Sequence, residues 1–598
     1  MTTLSRIVFA VLVCATFAAF FAAQELKSKP PRVQHVSVSE VVSPNGDGRY
    51  ERVFASFDLD RRDDITVKVV ERDGDEVRTL VDDRAVGPRE RQRVKWDGRD
   101  DRGREVPDGI YRIRVNLRRQ GRAVTLQQNI DKDTRPPRPR VLDVGPQPGA
   151  GPELLPRVDG KPARVRFSAP GTRTEVLVFR TDVRPAQAVF DKPIRLADKA
   201  IRWAWDGTVD GRRRVAPGTY VVVVRSRDRA GNIGSSAPIP PRRSARQRLP
   251  GRGGITVRYL GVQAPAAPVP AGGRSGVAVD SLDKNYRWRL RRVGSARPRK
   301  DGRGTKSRVV GFPTPGGKSG LYLFEMRTAT RRATAPLLVQ SRQSQRVLVV
   351  APATTWQGVN PVDDDGDGFP NTLRAGGPVQ TSRPYVPGGL PPQLRNADAL
   401  LLAYLDRQGH RYDLTTDVAL ARGEGPRLAG HRGVILAGDT RWLDAGVGRA
   451  LRSYVRGGGR VLSVGTNSLR RSVRVANNGR ASDPTLPTTR DLFGSRLRPI
   501  ARAPLTLVST VDDIGLFAGT EGQFPGIDVF EETQSVAGGA QIVAAAAADD
   551  GRRRVIVATR LGKGLVIRPG LPDFALRLRN PGEISRFMES AWTLLSLR

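Results

Sequence analysis

Alternating carboxylates give this chain its sharpest chemical signal. The run Asp363-Asp364-Asp365-Gly366-Asp367-Gly368 places acids at 363, 365 and 367 beside glycines that permit a tight turn. Hard cations such as calcium take several oxygen ligands from a loop of this kind. The bidentate glutamate that would close a helix-loop-helix calcium site is missing, and Arg374 stands at that distance. Asp363, Asp365 and Asp367 are therefore candidate calcium ligands, with a solvated loop of Asx turns as the alternative. Asn45 and Asp47, in Asn-Gly-Asp-Gly, read first as turn chemistry.

Nucleophilic catalysis finds little support. Cys14 is the only cysteine and lies inside an apolar run, so the rest of the chain has no thiol for disulfides, zinc-thiolate sites or thiol catalysis. No G-x-S-x-G elbow occurs. Of the three histidines, His410 follows a helix-ending Gly409, where a cation complements the helix dipole, and His431 precedes a strand. Both read as structural.

The elements that would position a site lie after Arg346. Val347–Ala351 is a continuous apolar strand, 397–408 has helical periodicity with Leu401, Tyr404 and Leu405 on one face, and 433–437 is a second buried strand. A helix over 443–456, a turn at 457–459 and a strand over 460–464 complete an alternation that predicts a parallel sheet. Ligands bind such sheets beyond the carboxyl ends of the strands, where Asp439, Thr440 and Asn467 fall. The three glycines 457–459 separate a helix from the next strand, the wrong order for a phosphate loop.

The front of the chain is duplicated. Trp96-Asp97-Gly98 … Pro107-Asp108-Gly109-Ile110-Tyr111 recurs as Trp205-Asp206-Gly207 … Pro217-Gly218-Thr219-Tyr220 at identical Trp-to-Tyr spacing. Turn residues followed by alternating strands predict a repeated small β-sandwich, with Trp96 and Trp205 in the two cores. Pro136–Pro139 and 240–248 read as linkers, making the two modules beads on a string. A third β segment spans 254–343.

Residues 7–23 form an uncharged apolar run behind Arg6, an export signal or a membrane anchor. Phe20 and Phe21 occupy places where a cleavage site wants small residues, which favours retention as a transmembrane helix. A basic, Pro-rich tether, 27–32, follows. The 100 Lys+Arg against 60 Asp+Glu give a net charge of +40. Because arginine is spread along the whole chain without a nucleic-acid module, solvated surfaces or an anionic cell envelope explain this charge better than nucleic acid does.

Two resemblances attach to these motifs. Ser43-Pro-Asn-Gly-Asp-Gly48 together with the Trp-Asp-Gly … Pro-x-Gly-x-Tyr signature resembles the FlgD-type immunoglobulin-like domains of bacterial surface proteins, over 33–239. That implies spacer or assembly modules. Residues 255–598 resemble the C-terminal region of the large (β) subunit of N,N-dimethylformamidase, through Gly320-Leu-Tyr322, Ala335–Val339, Thr355-Trp356-Gln357-Gly358-Val359-Asn360, Arg383-Pro384-Tyr385 and Leu405–Tyr412. Formamide-hydrolysing members are understood to hold one iron with two tyrosinates and a glutamate. Tyr385 matches one tyrosine, but Val359 and Thr440 stand where relatives carry the other tyrosine and the glutamate. Valine offers no donor and threonine only a neutral one, so iron is not expected.

The sequence thus predicts a multidomain chain of β and α/β class. It has an N-terminal signal or anchor (1–24), two tandem Ig-like β-sandwiches (33–138 and 143–239), a third β-sandwich (254–343) and a flavodoxin-like parallel α/β domain (346–598). The expected role is an envelope protein on the outer side of the cell membrane, or secreted, that binds an envelope component or small ligand without catalysis. A metal-dependent amide hydrolase is the alternative, with Tyr385, Asp439 and Asn467 as candidate catalytic residues.

Overall fold

Strands dominate the computed structural model, 45% against 13% helix. It describes residues 3–28, 32–145, 162–194, 201–209, 212–243, 253–281, 283–305, 308–386, 389–391, 393–548 and 551–597. The expected tether and second linker fall partly outside the described residues, at 29–31 and 244–248. The apolar N-terminal run is a helix, Thr3–Ser28, with Phe9, Phe17 and Phe21 exposed. Among the described residues no helix is long and apolar enough to cross a membrane, so the expected transmembrane helix is not found there.

Each copy of the duplicated signature builds the same corner. Trp96 and Trp205 are buried, and each indole N–H donates to a carbonyl three residues on, Arg99 O and Thr208 O, at 2.9 Å. Tyr111 and Tyr220 pack on these indoles at 4.9 and 5.4 Å between ring centroids. Their hydroxyls donate back to Pro107 O (2.8 Å) and Ala216 O (2.6 Å). The Pro and Gly between Trp and Tyr turn the chain so that both rings enter one core.

Around each corner two sheets face one another. The first module pairs a three-stranded sheet (Val33–Val38, Val53–Leu59, Gln92–Trp96) with a six-stranded one centred on Asp63–Glu71 and Gly109–Leu117. The second pairs Arg140–Gly145, Ala163–Ser168 and Ile201–Trp205 with a five-stranded sheet centred on Gly218–Arg227. Gly254–Val257, expected to open the third segment, instead pairs with Gly218–Val221 of the second. A third pair of sheets follows, over Leu260–Gln340.

Beyond Arg346 the chain builds one nine-stranded sheet. Its strands are β1 (Val347–Ala351), β2 (Asp413–Thr416), β3 (Gly433–Leu436), β4 (Arg460–Ser463), β5 (Ala501–Asp512), β6 (Gln523–Phe530), β7 (Ala540–Ala548), β8 (Arg554–Leu561) and β9 (Gly564–Arg568). Their order is β2-β1-β3-β4-β9-β8-β7-β5-β6, the first five parallel and the rest antiparallel. The expected flavodoxin-like domain is therefore not supported. After 500 the strands follow one another through turns as short as Gly562-Lys563, which leave no room for a crossover helix, and they pair antiparallel.

Helices cover the parallel part: α1 (Ala353–Gly358), α2 (Asp398–Arg407), α3 (Asp417–Arg422), α4 (Ala445–Arg456) and α5 (Glu583–Ser596). α5 buries Ile584, Phe587, Met588, Ala591 and Leu595 into the core shared with α2, a stripe at helical spacing. α4 buries Val447, Leu451 and Val455 on the other face. The helix expected over 443–456 starts at 445. Leu443 and Asp444 belong to a short strand, and the Asp444 carboxylate caps α4 by accepting from Gly446 and Val447.

Candidate functional site

The carboxyl ends of the parallel strands gather buried acids. Asp417 follows β2, and its Oδ1 accepts from the backbone N–H of Thr354 (3.0 Å), just after β1, and of Val418 (2.9 Å). Its Oδ2 is buried without a partner, and burial pushes the group up to about 7. Asp398 opens α2. Trp356 Nε1 donates to its Oδ2 at 2.9 Å, while Oδ1 is buried without a partner against Gly438. Burial raises Asp398 well above the carboxylate range, and the Asp439 charge adds to it. Gly438 has φ +63°, and an added Cβ would collide with that same Oδ1, so only glycine fits.

The three candidate catalytic residues all lie in this region, each with its own partners. Asp439 Oδ2 accepts from Gln393 (2.7 Å) and Arg441 (3.3 Å). Burial still raises it, since those contacts offset only part of the desolvation. Asn467 is held left-handed at φ +48°, its backbone N–H donating to Glu531 Oε1 at 2.9 Å. Glu531 and Asp491 clasp the buried Arg568 at 2.8 and 3.1 Å. Tyr385 packs against the core, its hydroxyl raised above the usual range by burial, which neighbouring Gln357 partly offsets and the Asp417 and Asp398 charges add to.

The motifs that carried the family resemblance grip each other. Gln357 Nε2 donates to Arg383 O (2.9 Å), and Arg383 donates back to Gln357 Oε1 (3.1 Å), Gln357 O (2.6 Å) and Asn360 O (2.9 Å). Asn360 Nδ2 donates to Gln357 Oε1 and Pro384 O, both at 2.9 Å. Arg383, fully buried, also binds Asp364 at 2.8 Å. The Trp-Gln-x-x-Asn and Arg-Pro-Tyr segments thus form one interlocked, almost solvent-free unit.

Residues 307–509 match the family described as N,N-dimethylformamidase beta subunit-like, C-terminal. No curated protein matches this chain. Among solved structures, it shows 16% identity to a β-galactosidase from Rahnella sp. R3 over 33% of this chain and 26% of that one, TM-score 0.23. A bacterial ice-binding adhesin gives 13% over 52% and 98%, TM-score 0.22. A glucan-utilisation protein of Bacteroides ovatus, SGBP-B, gives 14% over 56% and 71%, TM-score 0.17. Scores this low do not define a shared fold.

Within the dimethylformamidase-like region, the three-donor iron site implied by the family resemblance is not fitted by the side chains at its positions. Val359 packs in an apolar cluster with Leu373, Val379, Trp442 and Val473. Thr440 is buried, its backbone N–H donating to Ser468 Oγ at 2.9 Å. Tyr385 is the one anionic donor left of the three, and a hard ferric ion needs several.

The three aspartates of the acidic loop do converge, one oxygen of each within 4.8 Å of the others. Burial and then the neighbouring charges raise Asp363 well above its usual range, and Asp367 is pushed up to about 6. A cation already faces them: Arg243 lies 3.2 Å from Asp365 and 3.0 Å from Asp367. The loop also braces the second module. Gly254 N donates to Gly366 O (2.8 Å), and a Cβ at Gly254 would stand 2.6 Å from Asp363 Oδ2.

Sequence pattern did not single out Asp398, Glu531 or Arg568, and Asp417 entered only as the end of a stretch carrying the family resemblance, Leu405–Tyr412 running on to Thr416-Asp417. An acid in a first helical turn reads as a dipole complement, and nothing local marks which such acid will be fully enclosed. All three histidines pair with carboxylates: His35 with Asp58, His410 with Glu589 and His431 with Asp413.

Proposed function

We propose that this chain is an exported envelope protein whose dimethylformamidase-like region binds a ligand or partner without catalysing its reaction. The N-terminal apolar helix is its export signal or anchor, and the two tandem Ig-like modules are spacers that hold the binding region away from the membrane. The interlock of Gln357, Asn360 and Arg383 carries the reading: its polar atoms satisfy one another in a dry interior. Substrate chemistry would need some of those atoms free. With Val359 and Thr440 at two donor positions, the crevice lacks two of the three iron donors that the resemblance implies.

A second reading, hydrolysis of small linear amides, is favoured by one observation. Tyr385 is close enough to Asp417 and Asp398 for their charges to raise its hydroxyl, and each of these acids keeps one buried carboxyl oxygen without a partner. An assay of the full chain with N,N-dimethylformamide and formamide, with and without added ferrous iron, separates the two. A noncatalytic crevice releases no dimethylamine or ammonia above the protein-free control; turnover abolished by Tyr385→Phe would establish the hydrolase.

A further inference from the structure

We infer a second binding site, for a linear phosphate polymer carrying no bases, in a basic groove between the third β module and α2. Two adjoining recesses, of about 450 and 670 Å³, share Gly316, Gly317, Lys318 and His410. Seven Lys and Arg line them against one acid, Asp406. That acid is spent, because its oxygens accept from the Arg292 guanidinium and the Tyr412 hydroxyl. The groove is far more one-sided than the chain, where 100 cations face 60 acids.

Some of these cations are fixed and others are free. Arg292 is held by Asp406 and Ser319 O, Arg342 donates to Ala271 O (3.0 Å) and Arg407 to Leu578 O (2.8 Å), so these guanidinium groups are ordered before any ligand arrives. Among the described residues Arg299, Lys300, Lys318 and Arg411 are exposed and have no ion-pair partner. The Gly316-Gly317 turn beside Lys318 has open space where side chains would be, so a phosphate can approach backbone N–H groups there.

Among the described residues, the aromatic rings at the groove are largely engaged already. Tyr322 and Tyr412 are buried, the Arg292 guanidinium covers Tyr322, and the His410 ring stacks on Trp592 at 4.2 Å. Sequence-tolerant nucleic-acid binding draws on open ring faces for base stacking. A polymer of bare phosphates needs only the charge.

Fluorescently labelled inorganic polyphosphate, titrated into the full chain, tests this against two variants. One carries Arg299→Glu, Lys300→Glu, Lys318→Glu and Arg411→Glu; the other makes four reversals on the first module, at Arg62, Arg72, Arg93 and Arg102. All these side chains are exposed, and unchanged thermal midpoints will verify folding. The expected result is a loss of at least about tenfold for the groove variant, less than about twofold for the control, and steep weakening with salt. Equal losses in both variants would overturn the site. Tighter groove-dependent binding of oligo(dT) or polygalacturonate would overturn the ligand class.

Discussion

Arg383 ties the Trp-Gln-x-x-Asn and Arg-Pro-Tyr segments together. It is fully buried and binds Asp364, Gln357, Val362, Asn360 and Asn371. Arg383→Ala strands a buried carboxylate and several carbonyls, and we expect it to destabilise the C-terminal region by about 3–5 kcal/mol in denaturant unfolding. Arg383→Lys should not rescue it, because an ammonium cannot reproduce the planar fork. Asp417 allows a second prediction. Its folded-state value is raised to about 7 from the ordinary 3.8, so the unfolded chain gives up this proton more easily. The associated stability is present below about pH 4 and is lost as pH rises towards 7, by up to about 4 kcal/mol. Unfolding at pH 5 and pH 8 should therefore show a smaller pH dependence in Asp417→Asn than in the wild type.

At the scale of elements, the strands and helices of the parallel region were legible because each is a continuous apolar run or a one-faced helix with clear stops. Continuation of the sheet as four antiparallel strands was not, since a buried strand such as Ala540–Ala548 reads alike in either direction. The enclosure of Asp398 was equally invisible: it depends on Gly438, distant in sequence and brought in by strand order. Gly438→Ala should abolish folding of the region or lower its midpoint by several degrees in a thermal melt, the added methyl meeting Asp398 Oδ1. The three aspartates of the acidic loop converge, but the cation facing them could not be foreseen, because Arg243 lies in a different module. Arg243→Ala should lower the thermal midpoint, and millimolar calcium should raise it again more than in the wild type. A variant unmoved by calcium would leave the loop a brace alone.

Across the whole molecule the modules touch more than their linkers imply. Asn232 of the second module is buried. Its Oδ1 accepts from Ser43 Oγ (2.6 Å) and Asn45 Nδ2 (2.7 Å) of the first, and its Nδ2 donates to Asp133 O at 2.8 Å. The segment around Asn45 is thus an inter-module clamp as well as a turn, and the expectation of beads on a string gives way to a fixed junction. Asn232→Ala should leave both sandwiches folded and broaden the distribution of their separations in solution scattering. The proposal of a noncatalytic binding region on a stiff support is most directly tested by elemental analysis of the full chain purified without chelators. A noncatalytic crevice predicts no iron above trace; near-stoichiometric iron, removed by Tyr385→Phe, would contradict it and restore the amide hydrolase.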